Sequence, residues 1–227
     1  MTHPDPDPTD EPVWPSLAEW IGEAGNLVEI VPADADAGEA ALESLDGVTD
    51  GSALGAIVRN TAGIVVDDWL LLLGAGDADL PGIRDLNGRA PGAIAAIPGA
   101  LVVAVDKLGG GFAVNAGGLP EGEVGEVCYL APDDLEWMAC GFGHPALIEW
   151  AFEGDVDGFY EDLRWATWRE EATALGTGKG FNAYPPPWSD EAEDSAVSRA
   201  AVPLAEAWGV VLATSLARGT WSLAGTE

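Results

Sequence analysis

The sequence predicts one α+β domain, a mainly antiparallel sheet flanked by N-terminal and C-terminal helices. Three observations predict it. Short β-branched or aliphatic runs, separated by Asn, Gly and Asp, fill the middle of the chain. Helical periodicity occupies both ends. The links between the strand-like runs are too short for βαβ crossovers, which favours antiparallel pairing. A chain of 227 residues that is 48% hydrophobic is long enough for one good core.

Taken in order, residues 1–12 alternate Pro with Asp and Thr and predict a disordered, solvated lead. The domain is expected over residues 13–210. "SLAEW" reads as a capping box, Ser16 at the N-cap and Glu19 at N3, with a helix to about Gly25. "NLVEIVP" is a strand stopped by Pro32. Asp36 and Glu39 suggest a second capping box and a helix through Leu45. "LGAIVRN", "GIVVDD" and "WLLLLGAG" read as strands, with a hairpin turning at Asn60 to Gly63. A Gly- and Pro-rich loop from Asp77 to about Gly99 precedes four more strands, "ALVVAVD", "GFAVN", "EVCYLAP" and "LEWMA". From His144 the period becomes helical. "PALIEWAFEG" puts Leu147, Ile148 and Ala151 on one face, and "DVDGFYEDLRWATWREEATAL" reads as one further helix. "YPPPW" is a rigid extended segment. A last helix is expected around Val202 to Trp208, and residues 211–227 are set apart as a C-terminal extension.

The charge narrows the function classes. There are 39 acids against 9 bases, a net −30. DNA, RNA and anionic membranes are bound by Lys and Arg neutralising phosphates, so they are excluded as partners. A solvated acidic surface and an acidic face that steers a basic protein partner, such as a nuclease toxin, both fit. Divalent-cation binding does not. Asp34 and Asp36 are spaced like the start of a calcium loop, but Gly38 takes the next ligand position and the closing Glu is missing. No metal and no cofactor are predicted. No apolar run approaches the roughly 20 residues of a membrane span. The N-terminal residues carry no export signal, which predicts a cytoplasmic location, with Cys128 and Cys140 as reduced thiols.

The motifs with a chemical look mostly read as structure. Gly109, Gly110 and Gly111 follow a strand, but "FAVN" continues as a strand, so no helix N-terminus is offered to a phosphate. The glycines predict a tight hairpin after Asp106. "GTGKGFN" fails as a P-loop, because Thr173 stands where the first Gly belongs and Gly180 where Ser or Thr belongs. His144 reads as a cap or surface residue rather than a base. Ten tryptophans are the unusual feature, with Trp150, Trp165 and Trp168 on adjoining helices and Arg164 between the last groups. They serve either as core filler or as a partly exposed recognition surface with cation–π pairing.

The ordered segments "NTAGIVVDDWLLLLGAG", "VDKLGGGFAVNAGG", "VCYLAPDDLEW", "WAFEGDVDGFYEDLRWATW" and "YPPPW" resemble an uncharacterised bacterial family, domain of unknown function 2625. The likeness spans about Trp14 to Trp208. It departs at Lys107, where the family pattern has a second Asp after Asp106, at Ala62 and Asp68, where Gly is usual, and at Leu86, where Trp is usual. Lys107 argues against a carboxylate pair built on Asp106. The resemblance implies no activity. More distantly, the strand run with "GGGFAVN", an aromatic-acidic strand and an amphipathic helix are similar to the SUKH superfamily of α+β proteins, many of them immunity proteins of toxin systems.

Two functional readings follow. The leading one is a protein-binding, immunity-like module whose partner-binding candidates are Asp133, Asp134, Glu136, Trp137, Arg164, Trp165 and Trp168. The alternative is an enzyme of unknown class with a polar site around Asp106, Asn115, Asp133 and Glu136. Four groups sharing one pocket would favour the enzyme.

Overall fold

The computed structural model describes residues 13–194, 196–219 and 221. The lead expected over residues 1–12 lies outside them. Helix α1 (Trp14–Glu23) leads into strand β1 (Val28–Pro32), helices α2 (Ala35–Glu43) and α3 (Ala53–Asn60), then the hairpin β2 (Thr61–Val66) and β3 (Leu70–Leu73). The short helix α4 (Ile83–Leu86) precedes β4 (Ala100–Asp106), β5 (Gly111–Asn115), β6 (Glu126–Leu130) and β7 (Trp137–Gly143). Helices α5 (His144–Glu153), α6 (Val156–Phe159) and α7 (Trp168–Leu175) follow. A small hairpin of β8 (Lys179–Tyr184) and β9 (Ser198–Pro203) then brackets α8 (Glu191–Asp194), and α9 (Leu204–Arg218) closes the described chain.

Strands β1 to β7 form one seven-stranded sheet in sequence order, every neighbour antiparallel. The short links after β2, β4, β5 and β6 fold each strand back on the one before, while the longer links that carry α2, α3 and α4 return the chain to the neighbouring position. Both faces are covered. Ile64, Val66, Leu70, Leu72, Phe112 and Tyr129 meet α1, α5 and the α6–α7 segment on one side. Val65, Leu71, Leu73, Ala113, Cys128 and Leu130 meet α4 and α9 on the other. Burial on both faces is why β2 and β3 are unbroken apolar runs instead of alternating ones.

Several local expectations are corrected. "LGAIVRN" is not a strand but α3. Ser52 caps it, its hydroxyl accepting from Gly55 N at 3.1 Å. Leu54, Ile57 and Val58 stand at helical spacing, with Ile57 in one core and Val58 in the other, but at eight residues the apolar run is short enough to read as a buried strand. The hairpin therefore turns at Asp67 and Asp68, both left-handed with φ 53° and 55°, within a three-residue link that Trp69 N closes on Val66 O at 2.9 Å. Ser16 is not a cap, since α1 begins at Trp14 with Pro15 in its first turn. Asp34, not Asp36, caps α2, its carboxylate accepting from Asp36 N at 3.0 Å. The long helix expected after Asp155 breaks into α6 and α7, because Tyr160 is drawn fully into the core and Arg164 turns inward beside it. Strands β8 and β9 escape the sequence pattern. Their inward residues include Gly180 and Ala183, which give little apolar signal. Helix α9 extends past Trp208 to Arg218, into the stretch set apart as an extension.

Candidate functional site

Gly109–Gly111 form the β4–β5 turn. Asp106 N donates to Gly110 O at 2.9 Å and Gly109 N to Asp106 O at 3.0 Å. The Asp106 carboxylate is buried and fully engaged. Oδ1 accepts from Leu108 N at 2.8 Å and Gly110 N at 3.0 Å, and Oδ2 accepts from Tyr129 OH at 2.7 Å. Burial raises its pKa, partly opposed by those bonds and by the Arg164 charge. The turn's donors are spent on this side chain, so none is left for a phosphate. Isothermal titration with ATP, GTP and NAD is expected to give no binding heat, and micromolar binding of any of them would reverse that reading.

Lys107 also points inward. Its Nζ donates to the carbonyls of Gly176, of Thr177 at 3.3 Å and of Lys179 at 2.8 Å. Phe181 N donates to the Lys107 carbonyl at 2.7 Å. Burial lowers the Lys107 pKa to about 8. The lysine thus ties the end of α7 and the start of β8 to the β4–β5 turn. Asn115 lies at the far end of this hairpin, paired with Ala100. Its side chain is consumed by its own loop, accepting from Gly117 N at 2.7 Å and donating to Gly122 O at 3.0 Å. Asp106 and Asn115 therefore face no common pocket, whereas Asp133 and Glu136 sit at the Asp106 end, in the β6–β7 turn.

That turn is shaped by Leu135, which adopts φ 64° and is fully buried. A left-handed leucine is held there because its side chain fills the core and its carbonyl accepts from Ser215 Oγ of α9 at 2.6 Å. Arg218 adds a bond from Nη1 to Asp134 O at 2.9 Å. The flanking Asp133 and Asp134 are pushed outward. They line a cleft of about 410 Å³ with Asp162, Trp165, Pro185 and Arg199. The guanidinium of Arg199 stacks on Trp165 at 3.6 Å. Trp165 Nε1 donates to Glu171 at 2.8 Å. Glu171 is held below the usual carboxylate range by bonds from Thr167 and then Trp165.

Trp165 also borders a second, shallower hollow with Arg164, Trp168, Arg169 and Asp157. Arg164 lies over Trp168 at 3.8 Å and over Trp69 at 4.9 Å. Its Nη1 pairs with Asp157 at 2.6 Å, while Nε and Nη2 are buried without a partner among the described residues. Of the predicted recognition residues, Asp133, Asp134 and Trp165 share the cleft, and Arg164 and Trp168 adjoin it. Glu136 is exposed on the same turn. Trp137 is buried against Trp221 at 5.8 Å between ring centres. Sequence reasoning missed Asp162 and Arg199. Arg199 comes from β9, and nothing in its neighbourhood in the chain announces Trp165.

The cysteines offer no reactive thiolate. Burial pushes Cys128 up to about 11 and Cys140 up to about 12, and both are free. Among the described residues no group of three or more His, Cys, Asp or Glu could hold a metal ion. No described helix is long and apolar enough to cross a membrane.

Comparison with known proteins assigns the chain to a family. The model of "Protein of unknown function DUF2625" matches residues 7–207. The chain belongs to the DUF2625 family. Within it, the chain is 36% identical over 201 residues to "Putative uncharacterized protein YbfG" of Escherichia coli (strain K12), covering 88% of this chain and 90% of that protein. It is 33% identical over 171 residues to an "Uncharacterized protein" of Haemophilus influenzae, covering 74% of each. No solved structure gives a significant match. None of these matches extends to the SUKH superfamily. For this DUF2625 member, then, any functional reading rests on the cleft itself.

Proposed function

We propose that this DUF2625 protein is a protein-binding module that takes a basic, extended segment of a partner into the cleft beside Trp165. The observation that carries the reading is the convergence of Asp133, Asp134 and Asp162 around Trp165 and Pro185 in about 410 Å³. None of the three carboxylates is in an ion pair among the described residues. They come from the β6–β7 turn and the α6–α7 segment, which the packing of Phe159 and Tyr160 against Tyr129 of β6 brings to one end of the sheet. The net charge of −30 would speed the approach of a basic partner. Stacks within the chain support a guanidinium–indole mode of capture: Arg199 lies on Trp165 at 3.6 Å and Arg169 on Trp168 at 4.3 Å.

The test is a Trp-fluorescence titration with hexa-arginine and hexa-glutamate peptides at about 0.15 M salt, where surface fields are screened beyond roughly 8 Å. Hexa-arginine is expected to bind saturably and hexa-glutamate not at all. The triple variant Asp133→Asn, Asp134→Asn, Asp162→Asn should weaken binding about tenfold or more. Neutralising Glu39, Glu43 and Asp46, which lie elsewhere, should change it by less than about twofold. Equal losses from the two triple variants would mean diffuse attraction to an acidic surface and would end the proposal.

The pH response of the fold is a separate matter. Burial holds His144, the first residue of α5, down at about 4. The unfolded chain takes up this proton near pH 6.5 and the folded one only near the lower value, so stability is lost as pH falls between them, by up to about 3 kcal/mol. The difference in melting temperature between wild type and His144→Gln, followed from neutral to acid, reads this group alone. A difference that does not change with pH would show that the imidazole titrates normally.

A further inference from the structure

We propose a second site, for a small carboxylic acid with an apolar body, in a cavity of about 560 Å³ at the other end of the sheet. Five segments converge there: the α2–α3 loop, the chain after α4, the start of β4, the end of β5 and the first turn of α5. The volume falls in the roughly 300–1,000 Å³ range of small-molecule sites. Its walls are mostly apolar, with Leu45, Leu54, Leu101 and Val114 among them. Two polar side chains at the rim have bonding capacity unspent. Arg89 donates through Nη1 to the Ser44 carbonyl. Asp46 also lines the cavity and pairs with that same atom at 4.0 Å from a fully exposed position, which leaves the rest of the guanidinium free. No hydrogen bond from Nη2 or Nε of Arg89 is formed among the described residues. The imidazole of His144 faces the cavity and likewise bonds to no described residue. Because burial keeps it neutral at pH 7, it can donate one hydrogen bond and accept another.

This combination selects a ligand class. The free edge of a guanidinium matches a carboxylate in a bidentate fork. The helix α5 opens on the same space with no side-chain cap, adding a modest preference for negative charge. The apolar walls ask for a hydrocarbon or aromatic body. In a chain with 9 bases among 39 acids, a cation directed at an apolar cavity is a departure from the general surface, and it points to an anionic head group. The site shares no residue with the acidic cleft, so the two proposals stand or fall separately.

Isothermal titration with straight-chain monocarboxylates, butanoate to decanoate, against their primary amides tests it. The acids should bind saturably, tightening roughly three- to fourfold per methylene until the cavity is full. Each amide should bind about tenfold or more weakly than its acid, as befits loss of a charge-assisted pair. Arg89→Ala, at an exposed position, should erase the acid–amide difference and keep the chain-length dependence. Leu101→Trp, checked for folding by circular dichroism, should abolish both by filling the cavity. The His144 ring proton resonance, assigned by its loss in His144→Gln, should shift on titration with octanoate, and in Arg89→Ala octanoate and octanamide should shift it at the same concentration. No saturable binding of any acid, discrimination that survives Arg89→Ala, or tighter binding of alkylamines of the same length would each overturn the assignment.

Discussion

Asp106→Ala is expected to destabilise the protein by about 3–6 kcal/mol, because it strands three buried donors at once. The Leu108 and Gly110 amides and the Tyr129 hydroxyl all donate to this carboxylate, at 2.8, 3.0 and 2.7 Å. None has another described acceptor, and all are shut away from water. Asp106→Asn is the informative companion. The amide oxygen still accepts from both backbone groups, and its NH2 can donate to the Tyr129 oxygen. That substitution also removes a buried charge. It is expected to cost no more than about 1.5 kcal/mol. The pH dependence adds a sign. A carboxyl whose folded pKa is raised binds its proton more readily folded than unfolded, so its contribution improves as pH falls through the folded value. Asp106→Asn should flatten that part of the curve. Urea unfolding of both variants checks the prediction. Equal losses from Ala and Asn would mean that the charge, not the hydrogen-bond geometry, holds the turn.

The second large effect is expected at Gly109. Its φ is +83°, and a Cβ there would lie 2.4 Å from the carbonyl oxygen of Ala207 in α9. Two costs combine. A left-handed non-glycine residue costs about 1–2 kcal/mol, and forcing apart packed backbone costs about 1–3 more. Gly109→Ala should therefore lose about 2–5 kcal/mol. Gly117→Ala isolates the first cost, since Gly117 has φ +98° and meets nothing nearer than Val124 at 3.9 Å. Thermal or urea unfolding of the pair gives the difference. Equal losses would show that α9 yields freely and that only the backbone conformation demands glycine. The neighbouring Gly111 makes the same point about packing, for its Cβ would strike the Trp208 ring at 2.5 Å. The triple glycine is thus the place where α9 lies across the sheet, and its sequence likeness to a phosphate loop has a packing origin.

Much of the fold was legible in the chain. The pairing of β2 with β3 and of β4 through β7 follows from apolar runs joined by short Gly- and Asp-bearing links, which are local properties. The inner face of α5, Leu147, Ile148 and Ala151, was read correctly from its spacing and is buried. The errors fall where the pattern is short or the packing is non-local. Helix α3 has only eight residues, and an apolar run of that length cannot be told from a buried strand by periodicity alone. The segment after Asp155 carries aromatic residues at nearly helical spacing, but the burial of Tyr160 and Arg164 sets its path. Strands β8 and β9 expose most of their side chains and pair mainly with each other, so they lack the apolar signal of a core strand.

What the sequence by itself determined is the class of architecture, the strong acidity of the chain and the reading of the glycine run as a turn. These rest on composition and on contacts within a few residues. The tertiary structure alone decided which polar groups meet. Asp106 turned from a candidate member of a polar site into the buried clasp of a hairpin, and Lys107 became the tie that holds β8. Asp133, Asp162, Trp165 and Arg199 became neighbours, and so did Arg89 and His144. Such encounters depend on side chains far apart in the chain being carried together by packing, and sequence spacing holds no record of them.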